Sequence, residues 1–342
     1  MNATSRLTRA VLAGALGILI AGPAAHADLL DDIKKRGYVH CGVVPSAPGF
    51  AAANNQGVRV GFDIDLCKAL GAAVFGDAAK VKLSPVTLKT GFSGLQSGAL
   101  DVLTHRFTWT LSRDSASMDY TKVMIYDGQG FMVRKAAGVK KITDLAGAVI
   151  CTAQGSTSEL NVTDYFRSRN LKFELLTFST QDEALKAYET KRCDSYTNDR
   201  NGLAARRTKL RNPGEHVILT EIISKEPIGP MVPHGQDRWG DIVRWVMNSL
   251  VAAEELGITQ ANADKMKASS KNPEARRLLG ATGDFGKKLG LDNAWAFNAI
   301  KAVGNYGEIF DRHLGPKTPL GLERGLNNLW NKGGLMMAWP TR

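Results

Sequence analysis

The sequence predicts an α/β protein of two open sheets in succession, followed by a helical extension. Three observations predict it. Strand-like β-branched stretches alternate with helical ones from Tyr38 to Leu103. The alternation returns from Ala148 to Asp199. From Gly257 onward the chain turns helical and loop-rich. Its 342 residues suffice for two domains with cores of their own. An apolar content of 44% and a charged content of 23% are ordinary for soluble globular protein.

The first 27 residues stand apart. Arg6 and Arg9 form a basic start, Val11 to Ala21 an apolar centre, and Ala25-His26-Ala27 a small-x-small cleavage site. The apolar run is too short to span a bilayer, and no later stretch approaches that length. No Cys follows the cleavage site, so a lipid anchor is not expected. The mature chain is expected to begin near Asp28, exported and soluble. In an oxidising compartment the four cysteines, Cys41, Cys67, Cys151 and Cys193, favour two disulfides. Three pairings are open. Cys41–Cys67 with Cys151–Cys193 keeps each bond within one half of the chain. Loss of two arginines and no acids lowers the net charge of +11 to +9. The basic residues are scattered, without a Lys/Arg run or interleaved aromatics, so nucleic acid is not the expected partner.

In order, Asp28 to Arg36 reads as a short amphipathic helix ended by Gly37, and Tyr38 to Val44 as a first strand. The Pro/Gly loop to Phe50 follows; a solvent-facing Phe there could stack on a ligand, or fold onto the core. Asp63 or Asp65 can cap a helix whose Leu66, Leu70 and Val74 share one face. Val81 to Val86 is a second strand, Phe92 to Gly98 a short helix, and Asp101 to Leu103 a third strand. In such βαβαβ halves, ligands bind beyond the carboxyl ends of the strands.

The second half repeats the scheme. Phe131 to Arg134 and Ala148 to Thr152 are strands. Gln154-Gly-Ser-Thr-Ser-Glu159 opens a helix, either as an anion-receiving turn or as a Ser/Thr cap with Glu159 as capping-box partner. Lys172 to Phe178 is a strand, Thr180 to Lys191 a helix, and Arg192 to Thr197 a strand ending at Asn198-Asp199-Arg200. Glu226 to Pro233 is a Pro/Gly strand that recrosses to the first half. Trp239, Ile242, Val243, Val246 and Leu250 make one core stripe; Trp295, Ala299, Val303, Tyr306 and Phe310 make another.

The candidate chemistry lies in Ala99 to Asp114. A buried strand end delivers the hydroxyls of Thr104, Thr108, Thr110 and Ser112, then Arg113. A planar guanidinium binds carboxylate bidentately, and hydroxyls can satisfy the remaining lone pairs. Asp199 is the matching strand-end acid of the second half. No metal or cofactor is expected: the six His show no paired ligand spacing, HExxH and GxSxG are absent, and the Gly-Ser-Thr turn lacks a Walker Lys.

GFDIDLCKALGAAV, residues 61–74, matches the signature of bacterial family 3 extracellular solute-binding proteins. The likeness runs on through LQSGALDVL, TWTLSRD, YDGQGFMVRK, RCDSYTNDRNGL, ISKEPIGP, NPEARRLLG and GLNNLWNKGGL. The chain resembles the general L-amino acid-binding subgroup, which has the longer C-terminal region. The resemblance implies a two-lobed periplasmic-binding-protein fold (type II), hinged by two crossing strands and closing on one free amino acid. Its lobes would be residues 28–129 with 226–255, and residues 130–225. Residues 256–342 would be a helical extension packed on the lobes. It implies a periplasmic location, an inner-membrane ABC permease as partner, and a monomer. Arg113 matches the Arg that clamps the α-carboxylate, Thr108 its helping hydroxyl, and Asp199 the acid that binds the α-ammonium. Ser156 and Thr157 match the second-lobe turn, Phe50 and Leu88 the residues flanking the ligand side chain, and the Cys pattern that of the subgroup. The subgroup usually reads SRNTTWT where this chain has Thr104-His-Arg-Phe-Thr-Trp-Thr110. The extra cation, Arg106, is expected to favour acidic amino acids. The alternative is a dehydratase-like enzyme acting on a small carboxylate, with Glu159 or His105 as its acid or base.

Overall fold

The computed structural model describes residues 28–104, 106–116 and 118–342; the expected leader and His105 lie outside them. The first sheet has five strands in the order Val81–Pro85, Val39–Val43, Val102–Leu103, Met231–Pro233, Met118–Tyr120. The first three run parallel, and Met231–Pro233 is antiparallel to both its neighbours. The second sheet repeats the plan with Glu174–Phe178, Val149–Ala153, Ser195–Asp199, Gln129–Arg134 and His216–Ile218. Parallel strands there need helical crossovers, and Thr157–Ser168 and Gln181–Glu189 provide them.

The sheets are joined by two antiparallel strands, Ile125–Asp127 leading out and Glu226–Ile228 leading back. The expected single strand from Glu226 to Pro233 is therefore two. Gly229 sits at the break, where a Cβ would lie 1.9 Å from the Lys122 carbonyl oxygen. Only Gly lets the two segments pass that closely.

Both cysteine pairs form disulfides within one lobe. Cys41–Cys67 ties the first strand to helix Phe62–Phe75, with Cα atoms 6.4 Å apart. Cys151–Cys193 ties Val149–Ala153 to the approach of Ser195–Asp199, with Cα atoms 5.8 Å apart. Both separations suit unstrained bridging.

Several local expectations are corrected. Neither Asp63 nor Asp65 caps Phe62–Phe75; Gly61 occupies the cap position without a side-chain bond. Asp65 instead accepts from Arg312 at 2.6 Å and His313 at 2.7 Å, both from the extension. The helix before Gly98 is longer than expected, Leu88–Gln96, because Thr87 and Thr90 form a reciprocal capping box. The stripe from Trp295 to Phe310 spans two helices, Trp295–Val303 and Tyr306–His313, split at Gly304 and restarted by an Asn305 cap. Trp239, Ile242, Val243, Val246 and Leu250 do line one buried face of helix Asp237–Glu255.

The extension packs on the first lobe. One continuous apolar core contains Leu66, Leu70, Trp239, Val246, Trp295, Ile300, Tyr306 and Phe310. Among the described residues, hydrogen bonds leaving the extension end on the first lobe or the hinge. Asn327 grips the hinge directly: Oδ1 accepts from Tyr126 N at 2.7 Å, and Nδ2 donates to Tyr126 O at 3.0 Å. Tyr306 Oη donates to Met124 O at 2.8 Å beside it.

Candidate functional site

Between the lobes lies a cavity of about 180 Å³. Its first-lobe wall is the loop following Val102–Leu103. Thr108 pairs with Ile228 of the hinge in a lone antiparallel bridge, and Trp109 N donates to Pro227 O at 2.7 Å. The loop is thereby held against the pivot. Thr110 then caps the single turn Leu111–Asp114, its Oγ1 accepting from Arg113 N at 3.3 Å. Arg113 Nη1 donates to Thr108 O at 3.0 Å, and its guanidinium stands 5.4 Å from the centre of the Phe92 ring. No ion pair among the described residues includes Arg113. A half-buried guanidinium with no carboxylate partner, on a cavity wall, is a seat for an anion.

The second-lobe wall comes from strand ends and helix starts. Ser156 caps Thr157–Ser168, Oγ accepting from Glu159 N at 3.3 Å and donating to Ala153 O at 2.6 Å. Both capacities serve the backbone. Glu159 Oε2 accepts from Gly155 N at 2.6 Å, so the turn's own carboxylate takes that N–H. Strand Ser195–Asp199 delivers Asn198 and Asp199, both buried. Burial pushes the Asp199 carboxyl above the usual carboxylate range, against the pull of Arg106. Burial likewise raises Asp127, and the Asp199 charge raises it further. Asp182 also lines the cavity; it accepts from Lys209 at 2.8 Å and from Ser46, which reaches across from the first lobe.

Of the residues the sequence points to, Leu88, Thr108, Arg113, Ser156, Thr157 and Asp199 all line this cavity. Phe50 does not. It is fully buried, edge-on to Phe62 at 6.5 Å, with the Arg106 guanidinium 4.6 Å above its ring. The loop holding it folds inward because Phe50 N and Ala51 N both bond to Ala47 O, closing a tight turn onto the core.

Glu226, on the returning hinge strand, has no counterpart in the sequence reading. Its carboxylate is buried and ringed by donors from three segments. Oε2 accepts from Thr108 and, at 3.1 Å, from Thr157. Oε1 accepts from Asn161 at 2.8 Å and Ser224 at 2.5 Å. A hydroxyl has one proton to give. While Thr108 and Thr157 hold Glu226, their oxygens meet the cavity as acceptors, which suits an incoming N–H rather than a carboxylate. A Glu followed by Pro-Ile-Gly-Pro at a recrossing strand is the signal that could have marked it.

Comparisons with known proteins bear on the family and the fold. The profile of "Bacterial extracellular solute-binding proteins, family 3" matches residues 39–276. The chain is 51% identical over 332 residues to the "General L-amino acid-binding periplasmic protein AapJ" of Rhizobium johnstonii, covering 96% of this chain and 97% of that one. It is 51% identical over 329 residues to the "Glutamate/glutamine/aspartate/asparagine-binding protein BztA" of Rhodobacter capsulatus, covering 96% and 97%. A solved periplasmic binding protein from Brucella ovis with glutathione bound superimposes with a TM-score of 0.90 at 49% identity, covering 93% of this chain and 100% of that one. With a matching profile over most of its length and two sheets hinged about one cavity, this chain belongs to the family 3 bacterial extracellular solute-binding proteins.

Proposed function

We propose that the protein is a periplasmic receptor that captures free L-amino acids and hands them to an inner-membrane ABC permease. The observation that carries this reading is Arg113, a cleft guanidinium without a carboxylate partner, opposite Asp199 on the facing wall. Arg113 takes the α-carboxylate. The ammonium is received by Asp199 and the Thr157 oxygen on the second lobe and by the Thr108 oxygen on the first. Ser156 shapes the turn and Leu88 flanks the side chain. The names of the Rhizobium and Rhodobacter relatives support an amino acid ligand. Glutathione, held by the Brucella neighbour, carries a free amino-acid head at its γ-glutamyl end.

We divide the chain into a first lobe of residues 28–129 and 226–255, a second lobe of residues 130–225, and the extension of residues 256–342. The receptor acts as a monomer after removal of residues 1–27. No described helix is long and apolar enough to cross a membrane. A receptor fits better than an enzyme because Glu159, the described candidate base, is taken up by Gly155 N. The test is a thermal-shift panel of free L-amino acids on the mature, oxidised protein, since a ligand that binds only the folded form raises its apparent stability. Stabilisation by several amino acids, without turnover, is expected; no shift with any of them refutes the reading.

A further inference from the structure

The ammonium seat is already occupied. Arg106, from the first-lobe loop, reaches across the cleft so that Nη2 stands 3.3 Å from both Asp199 Oδ2 and Asn198 Oδ1 on the second lobe. The place is built for it. The Phe50 ring lies beneath the guanidinium at 4.6 Å. Gly202 lies against it, where a Cβ would fall 2.5 Å from both Nη2 and Asn198 Oδ1 and 2.7 Å from Nη1, crowding the whole pairing. The side chain is only 6% exposed. Yet Nη1 is buried without a hydrogen-bond partner. A buried donor left unpaired on a charged group is costly, so this pairing is incomplete as it stands.

The remaining charges tell what would complete it. Arg106, Arg113 and Arg206 line the cavity against Asp182 and Asp199. Asp182 is engaged by Lys209 and Ser46 with Arg206 Nε 4.0 Å away, and Asp199 by Arg106. Among the described lining residues, Arg113 is thus the cation with no carboxylate beside it, and no carboxylate stands free. An amino acid with a neutral side chain must displace Arg106 from Asp199 and leave the guanidinium unpaired in a closed cleft. A ligand bearing a second carboxylate supplies the displaced guanidinium with a bidentate partner.

We propose that Arg106 is an internal stand-in for the ligand ammonium and the specificity-determining residue of this receptor: it yields Asp199 to amino-acid ligands that carry a second anionic group. This deepens the amino acid receptor reading and rests on it. Arg106 bridges the two lobes at Asp199, and an acidic ligand exchanges that bridge for two ligand-mediated pairs.

The experiment is calorimetric titration of the mature, oxidised protein with L-glutamate and with L-glutamine, which differ at the side-chain terminus by charge. The wild type is expected to prefer glutamate at least tenfold. Arg106→Asn is expected to lose that preference, with glutamine binding tighter than to the wild type because Asp199 is freed. Because Arg106 also acts on the buried carboxyls of Asp63 and Asp127, a second variant guards against misfolding. Gly202→Ala crowds the guanidinium out of its seat while keeping the charge, and is expected to tighten both ligands and retain the glutamate preference. An unchanged glutamate-to-glutamine ratio in Arg106→Asn, or unchanged affinities in Gly202→Ala, overturns the proposal while leaving the receptor reading intact. So does a wild type that binds other amino acids but not glutamate. A wild type that binds no amino acid at all overturns both.

Discussion

The two lobes share a strand order but not a way of being held. In each, four strands run one way and the fourth in order runs against them, and that reversed strand adjoins the hinge. The first lobe's helical face is covered by Asp237–Glu255 and then by the extension, which merge into one core. A small separate cluster around Leu95, Leu103 and Met231 closes the first lobe's other face, and the second lobe has two such small clusters and no large core, one around Tyr188 and Tyr196 and one around Phe131 and Phe166. The chemistry is divided too. The first lobe brings the cations Arg106 and Arg113, and the second brings Asp199, Asp182, the Ser156-Thr157 turn and one cation, Arg206. The thicker body carries Arg113, the guanidinium proposed to take the ligand carboxylate. A thinner jaw carries the acceptors.

Three variants sharpen or break this comparison. The largest effect is expected from Arg113→Ala. Removing one partner of a charge pair that closure desolvates costs about 3–5 kcal/mol. Calorimetry should show most affinity lost for every amino acid alike; near-native binding of any of them contradicts the assignment of Arg113 to the shared head group.

Next comes Cys151→Ser with Cys193→Ser. The bond closes a sequence separation of 42 residues in the thinner lobe, and its loss should cost roughly 2–4 kcal/mol. Amide hydrogen exchange is expected to speed up through the second lobe and leave the first unchanged. A uniform rise across both lobes would show that they unfold as one unit.

The smallest effect is expected from Asn327→Ala, which removes two hydrogen bonds from the hinge strand. Each is worth about 0.5–1.5 kcal/mol. Exchange at the Tyr126 amide should rise while the core of the second lobe keeps its protection. An unaltered Tyr126 amide would mean that the extension does not brace the hinge.

The sheets were legible because alternating, β-branched strands announce themselves through local periodicity. Ile125–Asp127 was not, since three residues carry too little pattern to mark a strand. The Trp295 stripe misled because its spacing runs on across the Gly304 break as though one helix continued. Asp63 and Asp65 looked like caps because their true surroundings are distant. Arg312 and His313 come from almost 250 positions away, and Asp63 Oδ2 has no hydrogen-bond partner. The site divides in the same way. Arg113, Thr108 and Asp199 could be read because strand ends are where an open sheet binds ligand. Glu226 could not, since its donors arrive from the first lobe, the second lobe and the hinge at once. Arg106 showed only as an unexpected residue; that it crosses the cleft to Asp199 is a tertiary fact.

Asn327 has a mechanical consequence. By pairing with both backbone groups of Tyr126 it pins one end of a lever. A rotation about a pinned pivot sends nearly all of its travel to the free arm, here the rim of the second lobe. The first-lobe rim then serves as a fixed datum. A membrane partner that must tell a loaded receptor from an empty one would need to gauge only the displacement of one rim against the other.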